Sequence, residues 1–269
     1  MNTSEKRYYY RQEFFQKSNQ VGINKEDRWA LWEEHYNFAA IPPGEEGRKL
    51  AKSLFEKAWD TYQKHLEYIQ KWKPNHTELE SRLEEVKALL GCGSSLDFVG
   101  TFDNNPFVAP FDQDRIALCL PIESGSSEIL LVHELTHIVH AKTASLTSHW
   151  QRTIALTILE EGLATRVSKF LVPGEADERY IEHKENWLTS CIGKKEEIFK
   201  GILPYLEDDS SETVYKFTIG KGATNHEREA YYAGWEMVDT LLKQGVSFND
   251  LARIKEKDIP ILFKNLLIS

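Results

Sequence analysis

The sequence predicts an α+β protein that is mainly helical and contains a small sheet. Apolar residues recur at helical spacing through residues 25–90, and helical patterns return over most of the chain after residue 126. Between these parts, two short runs have the composition of strands. A glycine-rich boundary at residues 91–95 separates the first helices from the strands. We therefore predict a helical N-terminal region over residues 1–93 and a second domain over residues 94–269.

Length, charge and cysteine content limit the classes of function. The chain has 269 residues and a formal net charge of −9, which argues against nucleic acid or an anionic membrane surface as a partner. No apolar run is long enough to span a membrane, and the N-terminus lacks the apolar core of a secretory signal. Three cysteines, Cys92, Cys119 and Cys191, form no CxxC pair and indicate reduced thiols. We expect a cytoplasmic protein.

Two helices are predicted first. Trp29, Trp32 and Tyr36 recur at helical spacing until residues 41–44, Ile-Pro-Pro-Gly, end the pattern. A longer second helix then ends near Trp72, before a proline. Its apolar face is predicted to consist of Leu50, Leu54, Ala58, Tyr62, Leu66 and Ile69.

A third helix and two strands follow. Thr77 and Glu80 match a capping box, which predicts the start of the third helix. The apolar stripe of this helix consists of Leu79, Leu83, Val86 and Leu90. Beyond the glycine-rich boundary the periodicity changes, and Leu96–Phe102 and Arg115–Pro121 are predicted strands.

The run Ser126–Ala144 is predicted to be a buried helix that carries an HExxH motif. It begins with a plausible N-cap serine and contains neither proline nor glycine. His133 and His137 lie four residues apart, so their imidazoles project from one face and can converge on one metal ion. Glu134 lies next to them, within reach of a metal-bound water without being a ligand. The rest of the helix is largely apolar, and a metal ion is the simplest partner for these buried polar groups.

A catalytic zinc site normally has three protein ligands and one open position, so a third ligand is needed. The metzincin pattern is excluded, because His140 and Thr143 occupy the places of its glycine and third histidine. We expect His140 either to pack in the core or to support a ligand. The other source is a glutamate on the next helix, predicted over residues 152–172, which offers Glu160 and Glu161.

These motifs resemble the gluzincin metallopeptidases, in which a second helix supplies the ligand glutamate, often as Glu-Gly-hydrophobic-Ala. The sequence Glu161-Gly162-Leu163-Ala164 matches that form. By this resemblance Glu161 is the third ligand, whereas Glu160 stands where many relatives have asparagine. Gly162 lacks a side chain, which permits the close approach of the two helices that one shared ion requires.

More narrowly, the chain is similar to an uncharacterised family of predicted zinc-dependent proteases. Besides the metal motifs, the segment Tyr231–Trp235, Tyr-Tyr-Ala-Gly-Trp, is similar to the aromatic-Gly-aromatic helix of that family. The resemblance covers roughly the last 150 residues and implies a zincin-like metallopeptidase domain within residues 94–269.

The predicted chemistry is zinc-dependent hydrolysis of peptide bonds. Zn²⁺ lowers the pKa of a bound water to about 7, and Glu134 would act as general base before passing the proton to the leaving amine. A further donor is needed for the oxyanion. We predict Tyr232 for this role because of the family resemblance, with Tyr231 second and His226 third. Thr165 is a candidate for a hydrogen bond to a ligand.

Peptides or unfolded protein segments are the expected substrates. The resemblance suggests that an extended peptide binds an open strand edge by strand addition, which we assign to Asp114–Ile122, although an ordinary core strand fits equally well. An alternative function is a non-catalytic zinc-bearing module whose helical N-terminal half binds a partner. A metal-free helical protein with coincidental motifs is the third hypothesis. The sequence indicates neither the cleavage preference nor the oligomeric state.

Overall fold

The computed structural model describes residues 13–37, 44–91, 97–101, 107–110, 116–121, 127–146, 152–181 and 183–268. The chain forms two compact units. The first unit comprises Met1–His76 and Ser95–Ser126, and the second comprises Thr77–Ser94 and Ser127–Ser269. Each unit is therefore discontinuous in sequence. The division into two domains, residues 1–93 and residues 94–269, was predicted from the sequence and stays a prediction.

The first unit begins with helices that the sequence largely predicts. They are α1 (13–18), α2 (Lys25–Tyr36), α3 (Glu45–Lys64) and α4 (Leu66–Lys71). The side chain of Asn24 caps α2 by accepting hydrogen bonds from the first-turn amides. One continuous helix was expected over α3 and α4, and this is wrong. The helix is interrupted at His65, whose backbone leaves helical geometry (φ −113°, ψ 15°).

The core of the first unit is aromatic, and the face of α3 that it buries differs from the face predicted from the sequence. The buried members of this cluster are Phe14, Phe15, Trp29, Phe55 and Ile69. Leu50 and Leu54, predicted on the buried face, are each 50% exposed. Aromatic side chains bury more surface than leucine, so α3 turns the Phe55 side inward.

The sheet of the first unit has three strands in the order β1-β3-β2. The strands are β1 (Asp97–Thr101), β2 (Phe107–Pro110) and β3 (Ile116–Pro121). β1 and β3 confirm the two predicted strands and pair in parallel, whereas β2 was not predicted and pairs with β3 antiparallel. β3 is therefore the central strand. The prediction that Asp114–Ile122 offers an open edge to a peptide is wrong, because β3 has a neighbour on each side.

The second unit is helical in its described residues. Its longer helices are α5 (His76–Leu90), α6 (Glu128–Ala144), α7 (Ile154–Leu171), α10 (Lys195–Ile202), α11 (Ser211–Thr218), α12 (Glu229–Lys243) and α14 (Ile259–Ile268). Shorter ones are α8 (Glu178–Ile181), α9 (Trp187–Ile192), α13 (Phe248–Ala252) and two 3₁₀ turns, Leu203–Tyr205 and Glu256–Asp258. The mainly helical class with a small sheet is thus confirmed. No described helix is both long and apolar enough to cross a membrane, and the cytoplasmic location stays a prediction.

Helix α7 forms the centre of the second unit and packs between α6 and α12. Residues 154–168 of α7 are all buried. The crossing with α12 occurs at two glycines: a Cβ on Gly162 would lie 2.3 Å from the carbonyl oxygen of Gly234. Only residues without side chains allow this contact between backbones. The sequence analysis expected Gly162 to permit a close approach between α7 and α6, but the atoms closest to Gly162 belong to α12.

The sequence also predicts that Thr224 and Glu227 form a capping box at the start of the helix that carries Tyr231 and Tyr232, but helix α12 begins at Glu229. The expected capping box with Glu227 does not form the start of this helix. Instead, the fully buried carboxylate of Glu229 accepts hydrogen bonds from the backbone amides of Ala223 (2.7 Å) and Thr224 (2.8 Å). The hydroxyl of Thr224 donates a third bond to it, at 2.8 Å. Residues 222–224 are therefore held as a loop ahead of the helix.

Candidate metal centre

The two histidines of the HExxH motif converge as predicted from their helical spacing. His133 and His137 lie on α6 with their Nε2 atoms 3.0 Å apart. Each side chain is 13% exposed, so the ring edges approach the surface while the helix behind them is buried. Both imidazoles thus present the same nitrogen to one point.

Helix α7 brings Glu161 to this point. Its Oε2 atom lies 3.3 Å from Nε2 of His133 and 3.5 Å from Nε2 of His137. The Glu161 side chain is 4% exposed, and Oε2 has no hydrogen-bond partner among the described residues. Buried carboxylate oxygens normally have a partner, so this oxygen is suited to a cation.

The two separations from Glu161, 3.3 and 3.5 Å, fit a zinc ion, and the third, 3.0 Å between the imidazole nitrogens, is slightly shorter than the ideal. Bonds of about 2.0–2.2 Å in a tetrahedron place neighbouring ligand atoms roughly 3.3–3.6 Å apart. Two imidazole nitrogens and one carboxylate oxygen are a ligand set that zinc accepts, with a fourth position left for water or substrate. Within the described residues, this is the one group of three His, Cys, Asp or Glu side chains close enough to share an ion.

Charge at the centre favours a cation between the helices. Burial raises the pKa of Glu161, but the positive charge of His137 and the close approach of both imidazoles outweigh it and hold that pKa well below its usual range. Burial likewise lowers the pKa of His137, yet the Glu161 carboxylate raises it to about 9. Glu161 is therefore ionised at neutral pH. In the metal-free protein, a proton on His137 occupies the electrostatic position that a metal would take.

Glu134 lies beside the centre without joining the three converging atoms. It is half-buried on α6, one residue after His133. Its negative charge contributes to the raised pKa of His137, which places the carboxylate within electrostatic range of the ligand atoms. Proximity to the ligand atoms is one requirement for a proton acceptor outside the ligand set.

Arg152 joins the site, and the sequence analysis missed it. Its Nη1 atom lies 2.9 Å from Oε2 of Glu160, and its Nη2 atom lies 3.5 Å from Oε1 of Glu161. The two neighbouring glutamates therefore share Arg152, and Glu161 alone also reaches the histidines. An arginine just before a helix that carries two glutamates was the available signal, but no standard spacing links them.

The two adjacent tyrosines of α12 face different surroundings. Burial raises the pKa of the Tyr231 hydroxyl, with the charges of Glu161 and Glu134 adding to it, so this side chain lies within range of the centre. Tyr232 is fully buried and packs edge-on against Trp187, with ring centroids 6.4 Å apart. Successive residues on a helix point about 100° apart, so only one of the pair can face α7's glutamates. The charged neighbours of the two hydroxyls favour Tyr231, since those of Tyr232 are Glu236 and Cys191, whereas the sequence favoured Tyr232.

His226, the third candidate donor, is engaged in a loop contact. Its Nε2 atom lies 2.7 Å from the hydroxyl of Ser190, and its Nδ1 atom lies 2.7 Å from the hydroxyl of Thr224. The Thr224 hydroxyl also donates to Glu229. Both ring nitrogens of His226 are therefore committed to the connection between α9 and the loop before α12.

Two further residues were expected to support the ligands. His140 is 1% exposed, neither of its nitrogens has a hydrogen-bond partner among the described residues, and burial lowers its pKa to about 3. It is therefore a neutral packing residue, one of the two roles expected. The hydroxyl of Thr165 donates to the backbone carbonyl of Glu161 at 2.8 Å, so it supports the helix instead of the carboxylate.

Comparisons with protein family models, curated proteins and solved structures found no match to this chain. The resemblance to gluzincins thus depends on the motifs and is a proposal.

Proposed function

We propose that this protein is a zinc-dependent peptidase in which His133, His137 and Glu161 hold the metal. The observation that carries the proposal is the convergence of three ligand atoms, within 3.0–3.5 Å of one another, from two packed helices. The fit of the two Glu161 separations to tetrahedral zinc and the Glu161 oxygen that makes no hydrogen bond within the described residues support it. The neighbouring carboxylate of Glu134 distinguishes a hydrolytic site from a purely structural one.

The chain supplies the proton transfers. Zinc, when bound, lowers the pKa of a coordinated water to about 7 and polarises a carbonyl group. Glu134 accepts the proton of the attacking water and passes it to the leaving amine, so one carboxylate serves both steps. Glu161 remains ionised because of the surrounding positive charge, which keeps it available as a ligand.

Tyr231 supplies a hydrogen bond to the oxygen of the reacting carbonyl. Burial raises the pKa of its hydroxyl, so the group stays protonated and able to donate throughout the neutral range. Removing one such donor from an enzyme typically reduces the rate by about 10²–10³-fold. The proposed substrates are peptides or unfolded protein segments.

The test compares wild type with Glu134→Gln. Zinc per chain is measured by mass spectrometry of the metal, and cleavage of a mixed peptide library by mass spectrometry of the products. We expect the variant to retain about one zinc and to lose activity by about 10²-fold or more, because the proton acceptor is gone. Glu128→Gln is the control: Glu128 lies on the same helix and pairs with Arg82, and its loss should leave cleavage unchanged.

Undiminished cleavage by Glu134→Gln contradicts the proposed mechanism. A wild-type protein that binds one zinc and cleaves no peptide in the library points to the zinc-bearing binding module instead.

A further inference from the structure

We propose that Arg152 is a positioning residue for the metal centre, holding Glu161 so that one carboxylate oxygen faces the histidines. This inference rests on the proposed zinc site and adds a residue to it. Arg152 touches neither histidine in the contacts described above, so it acts through Glu161. Its second role is to hold Glu160 apart from the ligand position.

The two oxygens of the Glu161 carboxylate contact different groups. Oε1 lies 3.5 Å from Nη2 of Arg152, and Oε2 lies 3.3 and 3.5 Å from the two imidazole nitrogens. A carboxylate fixed at one oxygen presents the other as a single ligand. The planar guanidinium can hold two carboxylates at once with a fixed geometry, which a lysine ammonium cannot.

Arg152 also compensates for a crowded set of negative charges. Glu160 and Glu161 are 7% and 3% exposed, and Glu134 lies nearby on the other helix. Adjacent buried carboxylates repel one another unless cations compensate them. Without Arg152, the ligand glutamate would share its surroundings with an unpaired neighbour.

The backbone around Arg152 is anchored, so its side chain starts from a fixed place. The next residue, Thr153, caps α7 through a hydrogen bond from the amide of Leu156, at 3.2 Å. The amides of Ile154 and Ala155 donate to the carbonyls of Asp208 and Leu206, at 3.0 and 2.9 Å. The Arg152 side chain itself is 33% exposed, so it lies at the edge of the core and not within it.

The test measures zinc affinity in Arg152→Met and Arg152→Lys by competition with a chromogenic chelator. Substituted Co²⁺ serves as a second probe, because its visible absorption reports the number and arrangement of ligands. We expect Arg152→Met to bind zinc about 10–100-fold more weakly, as is typical when a group that orients a ligand is removed. The Co²⁺ spectrum should change as well. Arg152→Lys keeps the positive charge but lacks the planar guanidinium that can hold two carboxylates. Its zinc affinity should therefore lie between those of wild type and Arg152→Met.

Arg82→Met is the matched control. Arg82 is also a partly buried arginine that pairs with two carboxylates, Glu85 and Glu128. Its replacement should reduce stability modestly and leave the zinc affinity and the Co²⁺ spectrum unchanged. Circular dichroism of the metal-free proteins shows whether each variant folds.

Wild-type zinc affinity together with an unchanged Co²⁺ spectrum in Arg152→Met overturns the inference. If that variant does not fold, Arg152→Lys decides, and wild-type affinity there overturns it equally. A wild-type protein that binds no zinc rejects the proposed function itself, which is a distinguishable result.

Discussion

Glu160 and Glu161 show how a single residue's position on a helix determines its chemistry. Both are buried on α7, yet only Glu161 reaches the histidines, while Glu160 contacts Arg152. The local sequence left the choice open, and the family resemblance favoured Glu161. The rotation of α7 that separates them depends on its packing against α6 and α12, which a short motif does not encode.

Two tyrosine variants form a matched pair for the proposed hydrogen-bond donor. Tyr231→Phe should reduce kcat by about 10²-fold with KM and zinc content little changed, because its hydroxyl acts in the transition state. Tyr232→Phe should retain activity. The Tyr232 hydroxyl is buried and has no hydrogen-bond partner among the described residues, so its removal should leave stability unchanged or raise it by about 1 kcal/mol.

Steady-state kinetics and chemical unfolding of both variants check this prediction. The opposite pattern, with activity lost in Tyr232→Phe and kept in Tyr231→Phe, would contradict the role of Tyr231 and support Tyr232 as the hydrogen-bond donor.

His140 gives the protein a specific dependence on pH. Burial lowers its pKa from the ordinary 6.5 to about 3 in the folded protein. Below pH 6.5 the His140 imidazole therefore binds a proton in the unfolded chain but not in the folded protein, and stability is lost as the pH falls. Between pH 7.5 and pH 5.0 this loss should be about 2 kcal/mol, and His140→Leu should remove it.

Urea unfolding of the metal-free proteins at both pH values measures the difference. His65→Gln is the control, since His65 is exposed and its replacement should not alter the pH dependence. An identical pH dependence in wild type and His140→Leu contradicts the assignment of a buried neutral imidazole.

At the scale of elements, the crossing of α7 and α12 is the tightest constraint on the site. A Cβ on Gly162 would lie 2.3 Å from the carbonyl oxygen of Gly234 and 2.7 Å from a methyl group of Val238. Gly162→Ala should force the helices apart, destabilise the protein by about 1–3 kcal/mol or more, and weaken zinc binding by displacing Glu161. Chemical unfolding and chelator competition measure the two effects.

Gly193→Ala is the matched control for this substitution. Its Cβ would meet the nearest atom, the carbonyl oxygen of Ser190, at an ordinary 3.5 Å, and its φ of −63° suits alanine. Stability and zinc affinity should stay close to wild type. Equal stability of wild type and Gly162→Ala would show that the helices are not held by this contact.

Local patterns predicted most helices and the metal motif, because both depend on residues close in sequence. The stripe of α5 is buried as expected, and the helical spacing of His133 and His137 brings their nitrogens together. The failures concern distant contacts. The burial of Phe55 reorients α3, and the hydrogen bonds to Glu229 delay the start of α12. Neither interaction has a signature in the nearby sequence.

The sheet is a second case in which contacts between distant residues could not be predicted from local sequence. A strand's composition does not state how many neighbours it has, so the central place of β3 and the presence of β2 required the fold. Arg152 was missed for a related reason, since its contacts with Glu160 and Glu161 depend on how the segment before α7 is anchored.

At the scale of the whole molecule, the proposed site lies within one compact unit. The three ligands, Glu134, Arg152 and Tyr231 all belong to the part of the second unit that spans Ser127–Ser269. The first unit contributes the sheet and an aromatic helical core, and it carries none of these residues. The metal centre therefore depends on long-range packing of three helices, α6, α7 and α12.

X-ray absorption at the zinc edge tests the central claim most directly, because it reports the ligands of the metal in the intact protein. The wild-type chain loaded with one equivalent of zinc should show two imidazoles, with the remaining ligands oxygen at about 2.0–2.2 Å. Scattering from cysteine sulfur at about 2.3 Å, or a protein that retains no zinc, would contradict the centre formed by His133, His137 and Glu161.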